Sequence, residues 1–131
     1  MAGLYVDTSA LGRVLLAEPD ATMIRATLAG YQEQWSSEIL TVELGRLGKL
    51  HGLQTDVQQL LANIRLVHIT SPRLRSAAAI DPARVRTLDA IHLSAAMALH
   101  GLGTVAAVLT FDGQLQAGCQ HHGIAVEAPV V

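Results

Sequence analysis

Short apolar runs alternate along the chain with longer segments whose apolar residues recur at helical spacing. Gly3–Val6 is a run of strand length, and Val105–Leu109 is the clearest second one. Residues 34–36, 66–69 and 124–126 read as further short strands. Residues 10–17 carry Leu11, Val14, Leu15 and Leu16 and read as a helix, broken by Glu18-Pro19-Asp20. Asp20 then caps a second helix that runs to about Gly30. A third helix begins at Ser37-Glu38, carries Ile39, Leu40, Leu44, Leu47 and Leu50, and closes at Gly52. Residues 53–63, 73–80, 88–100 and 113–122 complete the helical set. Ser71 before Pro72, and Thr87, are the expected caps of two of these. Strands joined by helical connections predict an α/β fold with a mostly parallel sheet covered on both faces.

Four carboxylates interrupt this pattern. Asp7 and Asp112 each follow an apolar strand, where open parallel sheets place ligands. Each is equally well read as a helix N-cap, and Thr8 or Ser9 capping instead would free Asp7. Glu43 shares a helical face with Ile39, Leu40, Leu47 and Leu50. A carboxylate there costs several kcal/mol unless it is paired or coordinated. An ion pair with Arg46 or a distant arginine is the bland account; a functional role is the one favoured here. Asp89 opens the most apolar helix, where the helix dipole alone would welcome it. If the four converge, their repulsion calls for a hard cation, and oxygen-only ligands select Mg²⁺ or Mn²⁺ over zinc.

Composition narrows the setting. The 131 residues are half hydrophobic and 15% charged, which suits one globular domain. No apolar run has the length of a membrane span, and no basic stretch precedes the first one, so neither anchor nor secretion signal is expected. A single cysteine, Cys119, excludes an intrachain disulfide and a multi-cysteine zinc site, and fits a reducing cytoplasm. The formal net charge of −2 advertises no affinity for nucleic acid. With four acids committed to a metal, the remaining surface becomes mildly basic, with Arg73, Arg75, Arg84 and Arg86 close in sequence.

Four segments carry a family resemblance: residues 4–11 (LYVDTSAL), 36–44 (SSEILTVEL), 86–93 (RTLDAIHL) and 109–112 (LTFD). In order and spacing they resemble the signature segments of the PIN-domain family, and the full length resembles its VapC-type toxins. The resemblance implies a single PIN domain over residues 1–131, with a three-layer α/β/α sandwich. It also implies a cytoplasmic Mg²⁺- or Mn²⁺-dependent endoribonuclease that leaves 5′-phosphate and 3′-hydroxyl ends. A cognate antitoxin and a homodimer are the implied partners. Carried over by position, Asp7, Glu43, Asp89 and Asp112 form the metal site, supported by Thr8 or Ser9 and by Thr110. Two departures stand out: Glu38 where many relatives have a small residue, and Thr41 where many have a basic one. A PIN-fold binding module without activity, and a PIN nuclease with another role, are the alternatives.

Other candidates are weaker. Arg13 and Arg86 flank acidic segments and are possible phosphate contacts; an ion-paired or solvated arginine explains either equally well. His92 lies one turn beyond Asp89 and reads first as a structural histidine. His121-His122 read as exposed, and Cys119 as packed. Tyr31 and Trp35 are candidates for an interface, and the helices at 10–17 and 53–61 for an antitoxin groove. A phosphoacceptor receiver domain would need a well-placed lysine, and the lone lysine, Lys49, sits within an amphipathic helix.

Overall fold

The computed structural model describes residues 2–127. Five strands form one all-parallel sheet: β1 (Gly3–Val6), β2 (Gln34–Ser37), β3 (Arg65–Val67), β4 (Val105–Leu109) and β5 (Ala125–Glu127), in the order β3-β2-β1-β4-β5. β1 runs in register with β4 from Leu4 opposite Ala107 to Val6 opposite Leu109. Successive side chains of a strand alternate between faces, and β1 divides two cores accordingly. Leu4 and Val6 pack with helices α1 (Thr8–Leu15), α2 (Ala21–Ala29), α3 (Ile39–His51) and α4 (Gln54–Leu61). Tyr5 packs on the other face with α6 (Thr87–Gly101) and α7 (Gly113–His121). α5 (Ser71–Ala78) lies against α6. This is the expected three-layer α/β/α arrangement.

The strand order decides where a ligand can sit. From β1 the chain crosses to β2 and β3 on one side; from β4 it crosses to β5 on the other. Connections leaving in opposite directions open a crevice beyond the carboxyl ends of the two central strands. Asp7 and Asp112 follow those two ends.

Several boundaries differ from the sequence expectation, each for a local reason. α1 begins at Thr8 because Asp7 itself is the cap, its side chain accepting from Ala10 N. Asp20 makes no capping bond to α2; it turns back to Arg13. Thr70, not Ser71, caps α5 by accepting from Arg73 N. Thr87 is the first residue of α6 rather than its cap. β3 stops at Val67 because the Ile69 N–H is taken by the Glu38 carboxylate at 2.6 Å, which draws the chain off the sheet. Glu38 also meets His68 at 3.2 Å, so this departure braces two loops. On α3, Leu40 and Leu44 are buried but Leu50 is 78% exposed, so the apolar stripe ends before the helix does. Gly52 closes α3 in the left-handed conformation at φ 69°, which glycine adopts without strain.

Candidate active site

Asp7 is buried and fully occupied by donors. Ser9 Oγ donates to Oδ1 at 2.7 Å, Ala10 N donates to the same oxygen at 3.4 Å, and Thr110 Oγ1 donates to Oδ2 at 2.8 Å. Burial pushes its carboxyl above the ordinary aspartate value, against the lowering effect of these hydrogen bonds. The Thr110 hydroxyl also accepts from Asp112 N at 3.0 Å, and Ser9 Oγ accepts from Phe111 N at 2.8 Å. One small web thus ties the end of β1 to the end of β4.

Asp112 repeats the arrangement. Its Oδ1 accepts from Gln114 N and Leu115 N at 2.9 and 3.0 Å, capping α7. For both aspartates the cap and rim readings are therefore satisfied at once. A helix starting at the end of a parallel strand puts its N-cap side chain on the ligand-facing edge, where the dipole favours an anion.

Glu43 projects from α3 and is mostly buried, its side chain 18% exposed. Its partner is neither Arg46 nor another arginine. Thr8 Oγ1 donates to Oε1 at 2.7 Å, and His92 Nε2 lies 2.7 Å from the same oxygen. Burial raises its pKa, but the His92 and Thr8 hydrogen bonds outweigh that and hold it below the usual glutamate value. His92 is itself buried, with Nδ1 2.7 Å from the Tyr5 hydroxyl.

Asp89 stands in the first turn of α6. Its pKa is pushed up to about 6 by burial, by the adjacent charge of Asp112 and by the field of Asp7. Glu43, Asp89 and Asp112 border one open cavity of about 750 Å³, which the segment from Ala83 to Leu88 also lines, Arg84 and Arg86 included. Asp7 is not part of this lining, but its charge reaches Asp89. The four acids predicted from sequence are therefore brought to one place, and Arg86 with them. Among the described residues, no three His, Cys, Asp or Glu side chains form a ready-made metal cage.

Arg13 goes elsewhere. Its Nε donates to both oxygens of the buried Asp20 at 3.0 and 2.8 Å, and its guanidinium lies 5.3 Å from the centre of the Phe111 ring. Tyr31 donates to Glu127 at 2.8 Å, and Trp35 packs against the α6 core beneath Arg65. His122 Nε2 meets Asp81 O at 2.6 Å. Cys119 is buried, which pushes its thiol up to about 12 and leaves it inert. Sequence reasoning did not assign Arg84 to the cavity or Tyr5 to the Glu43 network. The first was signalled by its two-residue spacing from Arg86; the second carried no signal.

Known proteins resemble this chain in sequence and in fold. The model of the PIN domain matches residues 4–119. Ribonuclease VapC47 of Mycobacterium tuberculosis is 35% identical over 133 residues, covering 96% of each chain. Ribonuclease VapC46 of the same species is 31% identical over 132 residues, covering 98% of this chain and 99% of its own. A toxin–antitoxin complex from Klebsiella pneumoniae contains a chain that superimposes with a TM-score of 0.74 at 19% identity, covering 98% of both chains.

Proposed function

The chain belongs to the PIN-domain family, and on that premise we propose that it is a divalent-metal-dependent endoribonuclease, the toxin of a toxin–antitoxin pair. One observation carries the reading: three carboxylates and two arginines line a single cavity at the switch point of the sheet. Acids alone would repel RNA; with arginines beside them, the cavity suits a phosphodiester flanked by a cation.

The residues fit Mg²⁺ or Mn²⁺. The donors are all carboxylate oxygens, and Asp89 and Asp112 press on one another electrostatically, a cost that a cation relieves. Mg²⁺ binds through one or two carboxylates and keeps waters and substrate phosphate as its other ligands. Asp89 and Asp112 would hold the cation, with Glu43 at the edge of the same cavity to ligate it or orient its water. When bound, it supplies an acidified water and neutralises charge on the phosphate. Asp7, fixed by Ser9 and Thr110, holds negative charge within reach of Asp89 and keeps the ends of β1 and β4 together. Arg84 and Arg86, on the same cavity lining, bind the phosphate, with Arg86 as the nearer neighbour of Asp89 in sequence. Attack by water rather than by the RNA 2′-hydroxyl leaves 5′-phosphate and 3′-hydroxyl ends.

The same reading gives the protein an antitoxin partner, a second copy of itself in a homodimer, and a cytoplasmic setting. The clefts between α1, α2 and α4, lined by Val14, Leu15, Arg25 and Leu60, are the antitoxin seat in this reading. No helix among the described residues is long and apolar enough to cross a membrane.

The decisive experiment compares wild type and Asp7→Asn on RNA and single-stranded DNA, with Mg²⁺, Mn²⁺ or EDTA. RNA cleavage should need the metal and fall about 10–100-fold in the variant, with an unchanged circular dichroism spectrum. Equal cleavage by the two proteins, or cleavage in EDTA, contradicts the proposal.

A further inference from the structure

Two donors converge on one oxygen of Glu43. Thr8 Oγ1 and His92 Nε2 each lie 2.7 Å from Oε1. Oε2 takes no hydrogen bond among the described residues, although the side chain borders the cavity. Behind His92 the network continues inward, for Tyr5 Oη is 2.7 Å from His92 Nδ1 and 3.0 Å from Ser37 N.

Proton counting fixes one end of this network. Ser37 N–H is a donor, so Tyr5 Oη accepts there. The phenol has one hydrogen to give, to His92 Nδ1 or to the buried Ser36 hydroxyl, which has no other partner. Whichever it chooses, Glu43 Oε1 only accepts, so His92 presents its N–H at Nε2, facing the carboxylate. Burial pushes the Tyr5 phenol far above its ordinary pKa, which keeps that hydrogen in place.

The cost of this arrangement argues against a packing role alone. Tyr5 and His92 are 0% and 2% exposed, amid Leu93, Val108 and other apolar side chains. Replacing both members of a buried hydrogen bond by apolar groups of similar shape is often neutral or stabilising. The polar pair spans three elements, from β2 through β1 to α6, and ends on a helix of the opposite layer.

We propose that Tyr5 and His92 are positioning residues for Glu43: the relay from Ser37 N–H through Tyr5 and His92 fixes Oε1 and leaves Oε2 as the oxygen offered to the cavity. This rests on the nuclease reading above for its consequence, and on the hydrogen bonds alone for its geometry. Outer partners that orient a ligating carboxylate are worth about 10–100-fold in activity or metal affinity.

The test uses two variants of similar size. His92→Gln keeps an N–H where Nε2 stood; the shorter amide of His92→Asn reaches only the Nδ1 position and leaves Glu43 without that donor. His92→Asn should lower kcat about 10–100-fold with little change in KM, and weaken Mn²⁺ binding by a similar factor in calorimetry. His92→Gln should recover most of both, and thermal midpoints should not follow this order. Equal loss in the two variants, tracking their stability, overturns the proposal, as does wild-type behaviour of His92→Asn. Nitrogen-15 shifts of the His92 ring in the metal-free wild type at neutral pH give an independent readout. A proton on Nε2 supports the relay, and a ring protonated on Nδ1 alone overturns it. If wild type neither cleaves RNA nor binds Mn²⁺, the nuclease reading fails while the ring spectrum still decides the relay.

Discussion

Asp89 is held at a cost to the fold. Its carboxyl titrates near 6 in the folded protein against an ordinary 3.8, because burial and Asp112 disfavour its charge. A raised folded value means that the folded state holds the proton more tightly than the unfolded state. Stability then falls as pH rises from about 4 through 6 and stays lower above that. Two pKa units correspond to about 2.7 kcal/mol, and solvent screening at this half-open position reduces the effect to about 1 kcal/mol. Asp89→Asn should therefore be more stable than wild type by about 1 kcal/mol in urea denaturation at pH 7 with EDTA, while losing cleavage. An asparagine variant less stable than wild type under those conditions contradicts the account. At this scale the four acids were legible because each breaks an apolar pattern or follows a strand. Their partners were not. Glu43 and His92 are 49 positions apart, and His92 and Tyr5 87, with no periodicity linking them.

The elements hold these residues in place through close helix packing. Gly48 of α3 is buried against α4, and a Cβ there would run into Val57. Val57 is β-branched and helical, so its side chain has little freedom to move aside. Gly48→Ala should destabilise the protein by about 1–3 kcal/mol, read as a lowered midpoint in thermal denaturation. A midpoint equal to or above that of wild type would show that α3 and α4 can separate freely. Strand and helix identities followed from periodicity alone. Their ends did not, because caps are chosen by competition among neighbours. Asp7 outcompetes Thr8 and Ser9 since both of its oxygens find donors, one of them Thr110 from another strand. Glu38 shortens β3 from 31 residues away. Asp20 gives up its cap for Arg13 because a buried carboxylate gains more from a charged donor, here Nε shared between both oxygens, than from one backbone N–H.

Over the whole molecule, a net −2 conceals a cavity lined by both signs of charge. Glu43, Asp89 and Asp112 border it, and so do Arg84 and Arg86. For single-stranded RNA, each phosphate contact contributes about 0.7 to the slope of log affinity against log salt. Arg86→Gln should reduce that slope by about 0.7 and weaken binding evenly across sequences, measured by fluorescence anisotropy in Ca²⁺ or EDTA to prevent turnover. An unchanged slope would place the arginine away from the phosphate path.

The amino-acid order by itself determined the alternation of strands and helices, the class of fold, and which carboxylates stand out from an apolar background. These are local properties, set by the periods of helix and strand and by the cost of burying charge. The tertiary structure alone decided that β1 and β4 lie side by side, which brings Asp7 and Asp112 to one crevice. It alone chose His92 over an arginine as the partner of Glu43 and turned Arg13 towards Asp20. Such choices depend on distances between residues remote in sequence, which only strand order and layer packing fix.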